Sequence, residues 1–278
     1  MFKLLVTITA FMVCCTTSAS VITGSVSTEV GKTEKIAITW AVNPAPPFHI
    51  FEGKYALQGI GDVMLNSIIA HMPEAEHTIV RLPHSRISKS VDADLNLCFP
   101  CLIKRSQSNK WVYSKANVEY LPLGVIAHPD TIASFLDSNG RVSFKQLVEN
   151  SQLTFAKPVA RKYPDVVQTI VENAKGNPRY ETIAGADSAV RVLHQLEYGR
   201  IDFTLEYPAI LNYFKSVEKE SKLKYYYTTE LGETPIPGAI GCTNNAWGEN
   251  VIKHVNEALE SIVDTPDYRA SQGVWLSP

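Results

Sequence analysis

Apolar and polar residues follow two rhythms along this chain, one of strands and one of helices, and the rhythms take turns. "KIAITWAV", residues 35–42, is rich in β-branched and aromatic side chains and predicts a first strand. In "EGKYALQGIGDVMLNSIIAHMP", Ile60, Val63, Met64, Ile68 and Met72 recur at helical spacing. Gly59 and Gly61 open that helix, Asp62 suits its positive first turn and Pro73 stops it. "EHTIVRL", "DADLNLCF" and "VEYLPLGVIAH" predict further strands, the last a candidate crossing between domains. "SFKQLVEN" reads as a short helix and "QLTFAK" as a strand. "YPDVVQTIVENAKGNP" reads as a helix with Pro164 in its first turn, ended by Gly176 and Pro178. "ADSAVRVLHQLEYGR" reads as another, between an Asp187 N-cap and Gly199. "RIDFTLEYP", stopped by Pro208, then "KLKYYYTT" and "GETPIPGAIGCTNN" predict strands. "GENVIKHVNEALESIVD" predicts the last helix, with Val251, Val255, Leu259 and Ile262 or Val263 on its apolar face.

Alternation of this kind predicts α/β units with largely parallel sheets flanked by helices. The order of elements divides them into two lobes: a discontinuous lobe I, 21–126 plus 236–278, and an inserted lobe II, 127–235. Ligands in such folds sit outside the carboxyl ends of strands and at domain interfaces. The stretch after the first strand, "WAVNPAPPFHI", fits that place. Pro46 and Pro47 fix φ and stiffen the loop, so that Phe48 is presented as a pre-set apolar wall, with Trp40 as a helper.

The amino terminus changes the compartment. Lys3 precedes a 12-residue apolar run, Leu4 to Cys15, and small residues follow. This is the layout of a secretory signal peptide, residues 1–20, cut after Ala19 or Ser20. The run is shorter than the roughly 20 residues that a membrane-spanning helix needs. A periplasmic protein of about 258 residues is expected. Its net charge moves from −2 to −3 when Lys3 leaves, which gives nucleic acid or an anionic membrane nothing to hold.

Export also bears on the cysteines. Cys98, Cys101 and Cys242 remain after cleavage. Cys98 and Cys101 are a candidate disulfide, leaving Cys242 free; Cys98–Cys242 is the other plausible pair. "CFPC" also raises an envelope thiol oxidoreductase as an alternative. That chemistry wants its first cysteine at a helix N-terminus, whereas this motif ends a strand. His71, His77 and His84 are irregularly spaced, and neither a P-loop nor a G-x-S-x-G elbow occurs. No enzyme, metal or cofactor is expected.

The order of parts resembles family 3, the amino-acid type of periplasmic solute-binding proteins, over nearly the whole exported chain. The resemblance is carried by "ITWAVNPAPPFHIFEGKYALQGIGDVMLNSI", "KWVYSKANVEYLPLGVIA", "GRIDFTLEYPAI" and "IPGAIGCTNNAWGENVIKHVNEAL". It implies two lobes that close by a hinge on a small polar solute, an amino acid or a relative of one, without catalysis. An inner-membrane permease, or a sensor protein with a non-amino-acid ligand, would read a monomeric loaded form.

Two of the family's motifs are off register here. An arginine usually stands seven residues before the serine of an "-FS-" motif. The matching serine is Ser114, Gln107 stands seven before it, and Arg105 lies two positions away. Arg105 and Arg86, in "LPHSRIS", are therefore the candidate anion clamps. The acidic residue expected five positions after Asp202 is displaced in the same way. Tyr207 is there, and Glu206 sits one before it. Phe48, Tyr113 and Tyr207 are the rings expected over the ligand, and Glu206 the partner of any cationic group. Arg161 and Tyr163, which precede a helix start, form a further candidate site for an anionic group.

Overall fold

The computed structural model describes residues 35–276 apart from 160 and 186; the expected signal peptide lies outside the described residues. The first half of the chain alternates β1 (Ala37–Val42), α1 (Ile60–His71), β2 (Glu76–Arg81), α2 (His84–Asp92), β3 (Cys98–Ile103), β4 (Trp111–Tyr113) and β5 (Val118–Tyr120). Next come β6 (Gly124–Ala127), α3 (Pro129–Ile132), α4 (Phe144–Glu149), β7 (Phe155–Pro158), α5 (Asp165–Ala174), β8 (Tyr180–Ile183), α6 (Ser188–Glu197), β9 (Phe203–Glu206), α7 (Pro208–Val217) and β10 (Lys224–Tyr226). The chain ends with β11 (Ile236–Thr243), α8 (Ala246–Ile262) and α9 (Pro266–Leu276).

These elements build two mixed sheets, each flanked by helices. The first has the order β2-β1-β3-β11-β4, with β5 also paired to β11. Within it β1 runs parallel to β2 and β3, and β11 is antiparallel to β3, β4 and β5. The second has the order β10-β6-β9-β7-β8, parallel at β7–β8 and β7–β9 and antiparallel at β6. The stretch that reads as one strand, "VEYLPLGVIAH", is broken by Pro122: β5 belongs to the first sheet and β6 to the second.

The apolar stripes face where their periodicity points. Met64 and Ile68 of α1 and Val251, Val255, Leu259 and Ile262 of α8 bury against Ile38, Trp40 and Val42 of β1. Asn245 caps α8, its side chain accepting from Gly248 N at 2.9 Å. Gly199 follows α6 with φ +65°, the left-handed turn that ends a helix without a Cβ penalty. In the second sheet Phe155 and Phe203 pack on Phe144 of α4. Among the described residues no helix is long and apolar enough to cross a membrane.

Several elements depart from the sequence expectation, among them α2, β4 and α3, which no run predicts. The third strand begins at Cys98 rather than Asp92, because Asp92 ends α2 and residues 93–97 make the turn that follows, with Asp94 at φ +57°. β8 and α7 were unmarked, and Pro208, read as a strand stop, is also the first residue of α7. A further helix, α9, follows α8. Its Trp275 Nε1 donates to Gln58 O at 2.8 Å, and Trp275 O accepts from Asn212 Nδ2 of α7 at 2.9 Å. The carboxy terminus thereby ties the loop before α1 to the second sheet's helices.

One side chain far away in sequence organises the start of α4. Glu230 accepts from Ser143 Oγ at 2.9 Å, Phe144 N at 3.0 Å and Lys145 N at 2.9 Å. Burial alone would raise its carboxyl, but these donors outweigh it and hold the group below the ordinary glutamate value. A depressed folded-state value stabilises above the unfolded value, 4.5, and the gain is lost as pH falls through the folded one. Glu230→Gln should therefore cost about 1–2 kcal/mol at pH 7. In urea melts from pH 7 to pH 3 the gap to the parent protein should close at the acid end; a gap independent of pH would refute this account.

Candidate functional site

The parallel strands of both sheets end on the same seam. The loop after β1 carries Phe48, and β3 ends just before Arg105; on the other side β7 leads to Arg161 and β9 to Glu206 and Tyr207. Phe48 is half-buried and meets the edge of Tyr120 at 5.7 Å and of Tyr207 at 6.4 Å between ring centroids. Tyr120 and Tyr207 lie 6.4 Å apart, so three rings from the two sides close on one another. A crevice of about 180 Å³, too narrow for a water-sized sphere, lies beside Tyr120 and Tyr207, lined also by Leu121, Pro208, Ala209 and Leu276. Another concavity, about 520 Å³ on the same measure, lies away from the seam between α4 and α5, beside the Lys145–Glu149 ion pair.

The charged centre of the seam is an ion pair. Arg161 Nε and Nη2 reach Glu206 Oε2 at 2.9 and 2.7 Å, and Tyr207 N donates to Glu206 Oε1 at 2.9 Å. Strand alternation would separate Glu206 from Tyr207. Because β9 stops at Glu206, both residues reach Arg161, whose guanidinium lies 5.5 Å from the centre of the Tyr207 ring. Burial pushes the Glu206 carboxyl up, against the pull of Arg161. Burial raises the Tyr207 hydroxyl, Arg161 draws it back, and Glu206 opposes that pull. From the other side comes His84, edge-on to Phe99 at 6.0 Å. Burial, then the charges of Arg161 and Lys162, hold its imidazole below the ordinary value.

Other expected site residues lie elsewhere. Arg86 is exposed on α2 and makes no ion pair or side-chain hydrogen bond among the described residues. Tyr113 is half-buried on β4 and makes no ring contact among the described residues, whereas Tyr120 meets Phe48 and Tyr207. Tyr163 is buried, donates to Leu205 O at 3.3 Å and lies under Lys157 Nζ at 5.6 Å. Trp40 is fully buried and donates to His77 Nδ1 at 3.0 Å, so it supports the sheet.

The proline loop is held from beneath by a group that the sequence reading took for a dipole partner. Asp62, third residue of α1, reaches back to Gly59 N at 3.1 Å, as in a capping box, and to Ile50 N at 2.9 Å. Its other oxygen lies 2.8 Å from His49 Nδ1. His49 and Cys101 share the space over Gly61, where a Cβ would stand 2.5 Å from Cys101 Sγ and 2.5 Å from His49 Cε1. The acidic residue three positions after Gly59 was the signal for this network.

The cysteine pairing needs correction. Cys98 bonds to Cys242, and Cys101 is free. Cys98 and Cys242 are directly opposite on β3 and β11, with Cα atoms 4.0 Å apart. Cys98 and Cys101 share one strand, point to opposite faces and stand roughly 10 Å apart, beyond disulfide reach. Burial pushes the Cys101 thiol far above its usual range. A thiol oxidoreductase built on Cys98 and Cys101 therefore has neither its pair nor its thiolate. Among the described residues no three His, Cys, Asp or Glu side chains gather as metal ligands would.

The sequence matches no family model and no curated protein. Solved structures do match over most of the chain. A probable amino-acid ABC transporter extracellular-binding protein from Bacillus subtilis, ytmK, is 16% identical, with a TM-score of 0.61 over 87% of this chain and 98% of its own. A putative L-cystine ABC transporter from Listeria monocytogenes is 17% identical, TM-score 0.62, over 86% and 95%. An ancestral arginine-binding protein bound to arginine is 12% identical, TM-score 0.62, over 87% and 99%. Likenesses at such identity speak for the fold, and that fold is the two-lobed architecture of the substrate-binding proteins of bacterial amino-acid ABC transporters.

Proposed function

We propose that this protein is exported to the periplasm and binds a small polar solute, an amino acid or a related compound, between its lobes for uptake. The lobes are taken as 21–126 with 236–278 and as 127–235, with the passage between them at β6, whose strand already pairs in the second sheet. The observation that carries the reading is the junction of Phe48 and Tyr120 from one side with Arg161, Glu206 and Tyr207 from the other, all at strand carboxyl ends. Aromatic walls with a few convergent charges are the make-up of small-molecule sites. Solute enters when the lobes part and, once bound, shifts the balance towards the shut form. An inner-membrane permease then receives the loaded protein. The likeness to binding proteins of amino-acid ABC transporters supports this direction.

A thermal-shift screen of the exported chain against amino acids, polyamines, small peptides and organic acids tests the reading. A solute present at a hundred times its Kd should stabilise by about 2.7 kcal/mol. Phe48→Ala should weaken that solute by roughly tenfold, the worth of about 1.4 kcal/mol of lost ring packing. A melting temperature that no class of solute moves, or a hit indifferent to Phe48→Ala, would sink the proposal.

A further inference from the structure

Resting on the seam as the binding site, we propose that the solute is a small anion with no ammonium group, of which an aliphatic dicarboxylate is the simplest form. A ligand ammonium needs an acceptor, and the carboxylate placed to serve it is already committed. Glu206 is 1% exposed, its Oε2 holds two nitrogens of Arg161 and its Oε1 holds Tyr207 N. Asp62, beneath the Phe48 loop, is likewise closed by His49, Ile50 N and Gly59 N.

Positive groups are left over. Arg161 Nη1 has no hydrogen-bond partner among the described residues, and its guanidinium sits on Tyr207. Arg105 is exposed, two residues beyond the end of β3, and in no ion pair among the described residues. Lys162, next to Arg161 in the chain, is exposed and in no ion pair among the described residues. Lys157, buried behind, holds its ammonium over the Tyr163 ring and adds a second cation near Glu206. Arg161 and Glu206 cancel, so the surroundings of Tyr207 keep a net positive charge. An ammonium placed there would lose its water, meet like charge and find no free carboxylate. A carboxylate would find the forked donors of Arg161 and Arg105. Two carboxylates would use both.

Titration calorimetry with two matched pairs decides it: succinate against L-aspartate and glutarate against L-glutamate, each differing by one ammonium. At least one diacid should bind about tenfold or more tightly than its amino-acid counterpart. Arg105→Ala, an exposed change that leaves the core intact, should weaken the diacid by about tenfold. An amino acid that binds as tightly as its diacid, or any neutral or cationic amino acid that outranks the organic acids, overturns the anion while leaving the cleft in place. Failure of every class of solute removes the cleft itself, and the anion with it.

Discussion

Replacing both Cys98 and Cys242 by Ala will lower the stability of this protein by about 5 kcal/mol. The bridge closes a loop 144 residues long, and cross-linking so long a loop takes much conformational freedom from the unfolded chain. For a protein of this size each kcal/mol moves the midpoint by roughly 2–4 °C, so the melting temperature should fall by about 10–20 °C. The bridge also joins β3, ahead of the passage to the second sheet, to β11, which follows the return. Its loss removes a covalent brace across that excursion. Cys101→Ser is the control: its thiol is free, and the change should cost far less than the double replacement. Non-reducing peptide mapping gives an independent answer. A peptide pairing Cys98 with Cys101, or a Cys101→Ser variant as unstable as the double one, would refute the assignment.

Asp62→Ala should cost about 3–5 kcal/mol, a size reserved for buried networks that lose their centre. One carboxylate serves Ile50 N, Gly59 N and His49 Nδ1. Ile50, His49 and Asp62 are all buried, so water does not replace what is lost. The damage should spread to the seam, because those bonds hold His49 and Ile50, which directly follow Phe48, against the start of α1. Asp62→Asn keeps one acceptor and should recover part of the loss. Urea denaturation measures the cost, and the same variants titrated with a solute measure the seam. A loss below about 1 kcal/mol for Asp62→Ala would mean that the loop is held by its prolines and packing alone.

Much of the fold was legible because burial repeats locally. β1, α1 and α8 each carry a run long enough for period two or 3.6 to show, and the structure buries the expected faces. The missed elements lack such a run. α2 buries only Ile87 and Val91, with polar or charged residues between. β8 buries none of its four residues fully, so no alternation marks it. α7 buries five of its first seven residues, and an element enclosed on most sides has no polar face to set its period. In the site, a braced aromatic loop announced Phe48, while Tyr120 looked like any strand tyrosine.

What the amino-acid sequence determined by itself was the grammar of this protein: alternating strands and helices, their caps, and the stiff loop after β1. All of these depend on neighbours within a few turns of the chain. What only the tertiary structure decided was partnership. Cys98 takes Cys242 over Cys101, although Cys101 is three residues away, because adjacent strands bring side chains closer than one strand does. Glu206 takes Arg161, 45 residues distant, because two parallel strands end side by side. Local periodicity records which face is buried; it holds no record of which distant group will be found there.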